Sequence, residues 1–188
     1  MSDHKLGNPA VVGLAGFGTT TLLLQIHNFG LCGVGVVLWA AFFFGGLAQL
    51  VAGLKEYGSG NNFGFAAFTT YGAFWMALGG VWLGMHFGIF TPSTTDIGWF
   101  LVAFTVPTMI YTLAACRASG AHSFLFVTLL IGFILLDVSF LGGGRPWLIM
   151  AAIDLTACAL TALYIMGSIV LVDFGYKWPL GKAWLAKK

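Results

Sequence analysis

Charge is the scarcest property of this 188-residue sequence. Only 7% of its residues are Asp, Glu, Lys or Arg, whereas a soluble globular protein carries about 25%. Eight basic and six acidic side chains cannot cover the surface of a 20.0 kDa protein in water, which excludes a soluble enzyme and a disordered regulator. The formal net charge of +2 is too small for a nucleic-acid binder.

Cysteine and catalytic motifs are also lacking. Cys32, Cys116 and Cys158 are odd in number and lie in apolar segments, so they indicate neither a disulfide framework nor metal-ligand spacing. The sequence has no Gly-x-Ser-x-Gly, His-Glu-x-x-His, Cys-x-x-Cys or phosphate-loop motif. We therefore expect no enzyme activity, no catalytic residue, no metal and no cofactor.

Apolar residues, by contrast, make up 59% of the chain. A transmembrane helix needs about 20 of them in succession. Six such runs lie at about 10–27, 33–54, 65–87, 97–116, 123–141 and 147–172. The sequence therefore predicts an all-α integral membrane protein with one six-helix transmembrane domain. The first run is too long and too polar for a signal peptide and lacks a cleavage site, so we expect it to be retained.

The distribution of basic residues predicts the orientation. With both termini in the cytoplasm, seven basic residues lie inside (Lys5, Lys55, Arg117, Lys177, Lys182, Lys187 and Lys188) and only Arg145 lies outside. This is the asymmetry of the positive-inside rule. We expect a multi-pass protein of the inner (cytoplasmic) membrane with both termini in the cytoplasm.

Polar residues within the spans are candidates for the lining of a pathway. Asn8 before Pro9 is a typical helix start, which would place a helix N-terminus attractive to anions at the inner mouth. Thr20, Thr21 and Gln25 follow within the first span. The second and third spans contribute Gln49 and Thr70. The alternative for the threonines is a hydrogen bond to a carbonyl of their own helix.

Two acidic residues also lie inside spans. Asp137 and Asp154 fall at similar predicted depths on two helices joined by a short turn that contains Arg145. Intramembrane acids are functional candidates, and this pair is a candidate for proton coupling. The alternative is a structural pair between an acid and Arg145.

Several segments resemble one known family. Residues 8–18 resemble the N-P-A-P-L-G-L-x-G-F signature of the acetate uptake transporter family, which includes bacterial succinate–acetate permeases. Val11 and Val12 stand where that signature has Pro and Leu. The resemblance continues through residues 45–53 and is densest over residues 60–75.

The resemblance implies a homohexamer in the lipid bilayer, in which each protomer has its own pathway for acetate and related small carboxylates. It also implies an apolar narrowing formed by Phe17, Tyr71 and Leu129. The rings of Phe17 and Tyr71 are expected about 10–12 Å from the inner surface, counted by helix rise, and the Tyr71 hydroxyl is expected to contribute to the narrowing. Such a constriction excludes hydrated ions.

The sequence leaves other functions open. A channel for small neutral solutes such as urea, amides or ammonia would equally lack a basic residue in mid-span. A sensor or scaffold is disfavoured, since the loops are too short to display an interaction domain. Coupling to protons and the choice between channel and carrier stay open.

Overall fold

The computed structural model describes residues 6–185, and within this range the chain forms six long helices and no strand. Lys5, Lys187 and Lys188, used above for the orientation, lie outside the described residues. The helices are α1 Ala10–Asn28, α2 Val34–Gly58, α3 Asn62–His86, α4 Thr94–Ala115, α5 Gly120–Gly143 and α6 Arg145–Val172. Each predicted span overlaps one of them.

Five of these helices are long and apolar enough to cross a membrane. The exception is α3, which has 25 residues and no Asp, Glu, Lys or Arg. Its many Gly, Thr, Tyr and Trp residues make it less apolar than the others. The chain is thus an all-helical, multi-pass membrane protein.

The six helices form a closed ring in chain order. Each of them packs against its neighbours in the sequence, and α1 closes the ring through extensive contact with α6. The contact between α3 and α4 is the thinnest in the ring. The interior of the ring, where α1, α3, α5 and α6 face one another, contains the residues discussed below.

The first helix begins as the sequence predicts. The side-chain oxygen of Asn8 accepts a hydrogen bond from the Ala10 N–H at 3.0 Å, and Pro9 follows with a helical φ of −62°. Asn8 therefore satisfies one of the backbone donors that a helix start leaves free.

A π-helical turn interrupts α2 at Phe43–Ala48. It lies against α1 at Gly16, where an added Cβ atom would stand 2.5 Å from the Phe44 carbonyl oxygen. Only glycine permits this approach of the two backbones. The extra residue of a π turn rotates the residues that follow by about 100°, and the first of them is Gln49.

The segment after α6 folds back along the bundle. The Ala121 and Gly120 N–H groups at the start of α5 donate to Leu180 and Gly181 carbonyls at 2.7 and 3.2 Å. The Leu185 N–H donates to the Cys116 carbonyl at 2.8 Å. The start of α1, the α4–α5 turn and the C-terminal segment therefore lie at one end of the ring, and Arg145 lies at the opposite end.

Candidate functional site

Four cavities follow one another inside the helix ring along α1. Counted from the start of α1, the first cavity contacts Ala10 and Leu14 of this helix, and the second contacts Leu14 and Phe17. The α1 residues at the third cavity are Phe17, Thr21, Leu24 and Gln25, and those at the fourth are Leu24, His27 and Asn28. Their volumes are about 80, 20, 30 and 130 Å³. We call them the first to fourth cavities. Each shares lining residues with the next, so together they form one row through the ring.

Phe17, Tyr71 and Leu129 line both the second and the third cavity. We call these three residues the gate. They are 6%, 3% and 4% exposed, and the Phe17 and Tyr71 ring centroids lie 5.8 Å apart with the rings tilted by 50°. The cavities on either side have room for no more than about two water molecules each, so the row is closed at the gate in this conformation.

The hydroxyl of Tyr71 does not face the gate, and the expectation that it contributes there is wrong. Tyr71 OH lies 2.9 Å from the Thr108 Oγ1 on α4. Thr108 Oγ1 itself donates to the Phe104 carbonyl at 2.7 Å, so the Tyr71 hydroxyl is the donor between the two. The gate is therefore formed by ring faces and a leucine and is wholly apolar.

Gln49 supplies a polar group on one side of the gate. Its side chain lines the second cavity and is 0% exposed. Neither its Nε2 nor its Oε1 has a hydrogen-bond partner within the described part of the chain. A buried amide without partners is rare in proteins, and this one belongs to a residue that lines a cavity.

Thr21 and Gln25 lie on the other side of the gate and line the third cavity. The Gln25 amide is largely occupied, because Nε2 donates to the Thr21 backbone carbonyl at 2.9 Å and Oε1 accepts from Asn28 Nδ2 at 3.0 Å. Gln25 therefore braces the end of α1.

Thr20 and Thr70 face neighbouring helices. The Thr20 Oγ1 lies 3.5 Å from the Ala40 carbonyl on α2, and the Thr70 Oγ1 lies 2.9 Å from the Tyr111 hydroxyl on α4. Neither residue is among those that line the four cavities.

Within the described residues neither Asp137 nor Asp154 forms the structural pair with Arg145 that the sequence left open as an alternative. Asp137 Oδ2 accepts from Thr105 Oγ1 on α4 at 2.8 Å, whereas Asp154 lies beside Gly132 on α5. Gly132 precedes Asp137 by five residues, or about 7.5 Å of helix rise. Arg145 is exposed, and within residues 6–185 it forms no ion pair with either acid.

Asn8 borders a separate cavity of about 540 Å³ at the end of the ring where α1 begins. Lys55 and Ser59, at the end of α2, line the same cavity. It shares none of the lining residues of the four-cavity row. The helix start, Asn8 and the Lys55 ammonium group give this surface a positive character.

Trp75 is not among the candidates that sequence patterns indicated, and it lines the third cavity together with Thr21. Trp75 follows Tyr71 by four residues on α3, and residues four apart share a helix face. That spacing was the available signal, and it applies equally to Phe133, which follows Leu129 by four residues and lines the same cavity.

A ring of apolar helices around a row of cavities, closed by apolar side chains, defines a membrane channel or transporter. The model of the GPR1/FUN34/yaaH family matches residues 1–173. The chain belongs to this family.

Relatives with named functions support the assignment. The chain is 36% identical over 178 residues to the succinate-acetate/proton symporter SatP of Escherichia coli K12, covering 93% of this chain and 95% of that protein. The solved structure of the bacterial acetate channel SatP matches with a TM-score of 0.90 and 35% identity, over 94% of this chain and 100% of that one. Ammonia transport outward protein 2 of Saccharomyces cerevisiae is 34% identical over 146 residues, or 72% of this chain and 51% of that protein.

Proposed function

We propose that this protein carries acetate and related small carboxylates across the membrane through the cavity row of each protomer. The observation that carries the proposal is the position of the gate, whose three residues line the cavities on both sides of it. The similarity to SatP, which is named for acetate and succinate, supports this choice of substrate.

The chemistry of the gate supports selection for a small carboxylate. An apolar constriction resists hydrated ions, because neither a ring face nor Leu129 replaces lost water. Acetate has a methyl group that tolerates contact with Phe17 and Leu129, and a carboxylate that Gln49 can meet on one side. Thr20 and Thr70 hold the helices around this path. The start of α1 at Asn8 favours anions at the same end of the ring, in the cavity that lies beside the row.

We propose that six protomers assemble into a hexamer with both termini in the cytoplasm, in the inner membrane. Lys55, Arg117, Lys177 and Lys182 belong to the end of the ring where α1 begins, and Arg145 to the other end. This asymmetry supports the orientation. The exposed apolar side of α2, which includes Trp39, Phe43 and Leu54, supports contact with lipid or a neighbouring protomer.

A test of the function uses protein reconstituted in lipid vesicles and labelled acetate, with protein-free vesicles as the baseline. Leu129→Trp fills the gate and should remove most of the flux above that baseline. Leu160→Trp is the matched control, since Leu160 is 53% exposed on the outer side of α6, and it should retain the flux. Equal acetate flux in the two variants would contradict the proposed pathway.

An imposed pH gradient in the same vesicles tests coupling to protons, which the symporter relative supports. Each acid has one carboxylate oxygen without a hydrogen-bond partner in the described range. Asp154 is the better candidate, since Asp137 already accepts a hydrogen bond from Thr105 on α4. If Asp154 carries the coupled proton, Asp154→Asn should flatten the response of acetate flux to the gradient. An unchanged response in this variant would exclude Asp154 from coupling.

A channel for small neutral solutes is the second candidate, and the relative named for ammonia transport favours it. In this case the same vesicles should alkalinise faster than protein-free vesicles on addition of ammonia. Leu129→Trp should abolish the faster alkalinisation. On this second function the unmodified protein should carry ammonia but no acetate.

A further inference from the structure

Thr21 differs from most threonines of these helices, because its hydroxyl is buried without a hydrogen-bond partner. Seven others donate their hydroxyl to the carbonyl four residues earlier in the same helix: Thr69, Thr105, Thr108, Thr112, Thr128, Thr156 and Thr161. This is the usual arrangement for threonine in an apolar helix. Thr21 is 3% exposed, and its Oγ1 has no hydrogen-bond partner within residues 6–185.

Trp75 has the same property. Its side chain is 3% exposed, and its indole Nε1 has no hydrogen-bond partner in the described part of the chain. A buried tryptophan N–H normally finds an acceptor, and leaving it without one costs free energy. Thr21 and Trp75 come from two different helices, α1 and α3, and line the same cavity.

We propose that Thr21 and Trp75 together form a carboxylate-binding position in the third cavity, beyond the gate from Gln49. The inference rests on the proposed function and adds a site to it. The Thr21 hydroxyl donates to one carboxylate oxygen and the Trp75 indole N–H to the other. The alkyl part of the ligand then faces Leu129, Phe133 and Leu155, which line the same cavity.

The donor set defines the class of ligand. An indole N–H donates and never accepts, so the position requires a ligand with free acceptor atoms, and an ammonium ion has none. A monocarboxylate has two acceptors and an apolar remainder. A dicarboxylate would leave its second charge among Phe74, Phe133 and Leu136, where the third cavity offers no ionic partner.

The position has no cation, which suits a site of passage. Two neutral donors hold a carboxylate less tightly than Arg or Lys does, and conduction requires sites that release their ligand. The cavity of about 30 Å³ is too small for acetate, so the ligand occupies it when the gate side chains move apart.

Thr21→Val is the decisive variant, because valine keeps the shape of threonine and removes only the hydroxyl. We expect the acetate concentration that half-saturates flux to rise about tenfold, the effect of losing one hydrogen bond to a charged ligand. The thermal stability of the assembled protein should stay equal or rise, since a buried hydroxyl without a partner is removed. Thr21→Ser, which restores a hydroxyl, should recover the half-saturating concentration.

Trp75→Phe should also raise the half-saturating acetate concentration. In the double variant with Thr21→Val the rise should be smaller than the product of the two single rises, since both donors bind one ligand. Thr128→Val is the matched control, because Thr128 is buried but donates to Phe124. Its half-saturating concentration should not change.

An unchanged half-saturating concentration in Thr21→Val, or an equal change in Thr128→Val, would overturn the inference. Either result in a protein that still transports acetate leaves the proposed function intact. Absence of acetate flux in the unmodified protein would instead contradict the proposed function. If Trp75→Phe fails to assemble, Thr21→Val and Thr21→Ser decide alone.

Discussion

A solute that passes the proposed gate meets the aromatic rings of Phe17 and Tyr71 and not the Tyr71 hydroxyl. This hydroxyl is hydrogen-bonded to Thr108, outside the cavity row. The two rings and Leu129 belong to three different helices. Their size therefore sets the width of the gate, and their polarity contributes nothing to it.

Truncation of both rings, Phe17→Ala with Tyr71→Ala, should widen the gate. We expect the ratio of succinate flux to acetate flux to rise about tenfold, as it would if about 1.4 kcal/mol were removed from the barrier for the larger substrate alone. Each flux is measured in vesicles and normalised to assembled protein, because the cavities left behind also lower stability by a few kcal/mol.

Tyr71→Phe is the control for this experiment, since it removes only a hydroxyl that faces α4. It should leave the succinate-to-acetate ratio unchanged. If the double truncation also leaves the ratio unchanged, the two aromatic residues pack the helices and do not form the gate.

At the scale of residues, the sequence indicated which residues lie together better than it indicated where their side chains point. The family resemblance indicated Phe17, Tyr71 and Leu129, and the structure places all three together. The direction of the Tyr71 hydroxyl depends on Thr108, which lies 37 residues away on another helix. The difference between Thr21 and the other threonines is likewise a choice of side-chain rotamer, which a sequence pattern does not contain.

At the scale of helices, the contact between Gly16 of α1 and the π turn of α2 sets the direction of Gln49. The position of a Cβ atom on Gly16 would lie 2.5 Å from the Phe44 carbonyl oxygen and 3.5 Å from the Cβ of Gln49. The backbone of the π turn and the Cβ atom of Gln49 thus both pack against Gly16 of α1.

Gly16→Ala should therefore separate α1 from α2. We expect a loss of about 1–3 kcal/mol in the free energy of unfolding, the usual cost of forcing an extra atom into a packed site, together with reduced acetate flux. Gly80→Ala is the control, since Gly80 lies within α3 with no atom near the added Cβ. Alanine is the better helix former there, so Gly80→Ala should be neutral or stabilising.

Thermal unfolding in detergent measures both glycine variants. Equal stability of Gly16→Ala and Gly80→Ala would show that the two helices adjust freely around Gly16. The sequence did not predict the π turn, because a change of hydrogen-bond register leaves the hydropathy of the helix unchanged.

At the scale of the whole molecule, the outer surface of the ring is apolar and the polar groups are inside. Trp39, Phe43 and Leu54 of α2 are more than half exposed, as lipid or a second protomer requires. The orientation drawn from the positions of lysine and arginine stays a prediction. The six apolar runs were predictable from the hydropathy of the sequence. The closure of α1 onto α6 was not, because hydropathy does not specify which helices are neighbours.

We expect native mass spectrometry in a mild detergent to show a complex of six 20.0 kDa chains. The apolar outer faces and the small residues at helix surfaces favour such assembly in a membrane. A harsher detergent should release single chains that keep their helical content, since each ring closes on itself. Detection of monomers alone in the mild detergent would contradict the hexamer.

The contact that closes the ring joins α1, the earliest of these six helices in the chain, to α6, the latest of them. Leu155 of α6 lines the third cavity, and Gly18 of α1 lies against Leu163, so neither the cavity nor the seat of α1 is complete before α6 is inserted. Until then Thr21 and Gln25 lack the wall that separates them from the bilayer. The helix ring of a newly made chain can therefore close only after residues 145–172 are synthesised and inserted. With α1 to α5 alone, the ring would be open to the lipid on the side where α6 is missing.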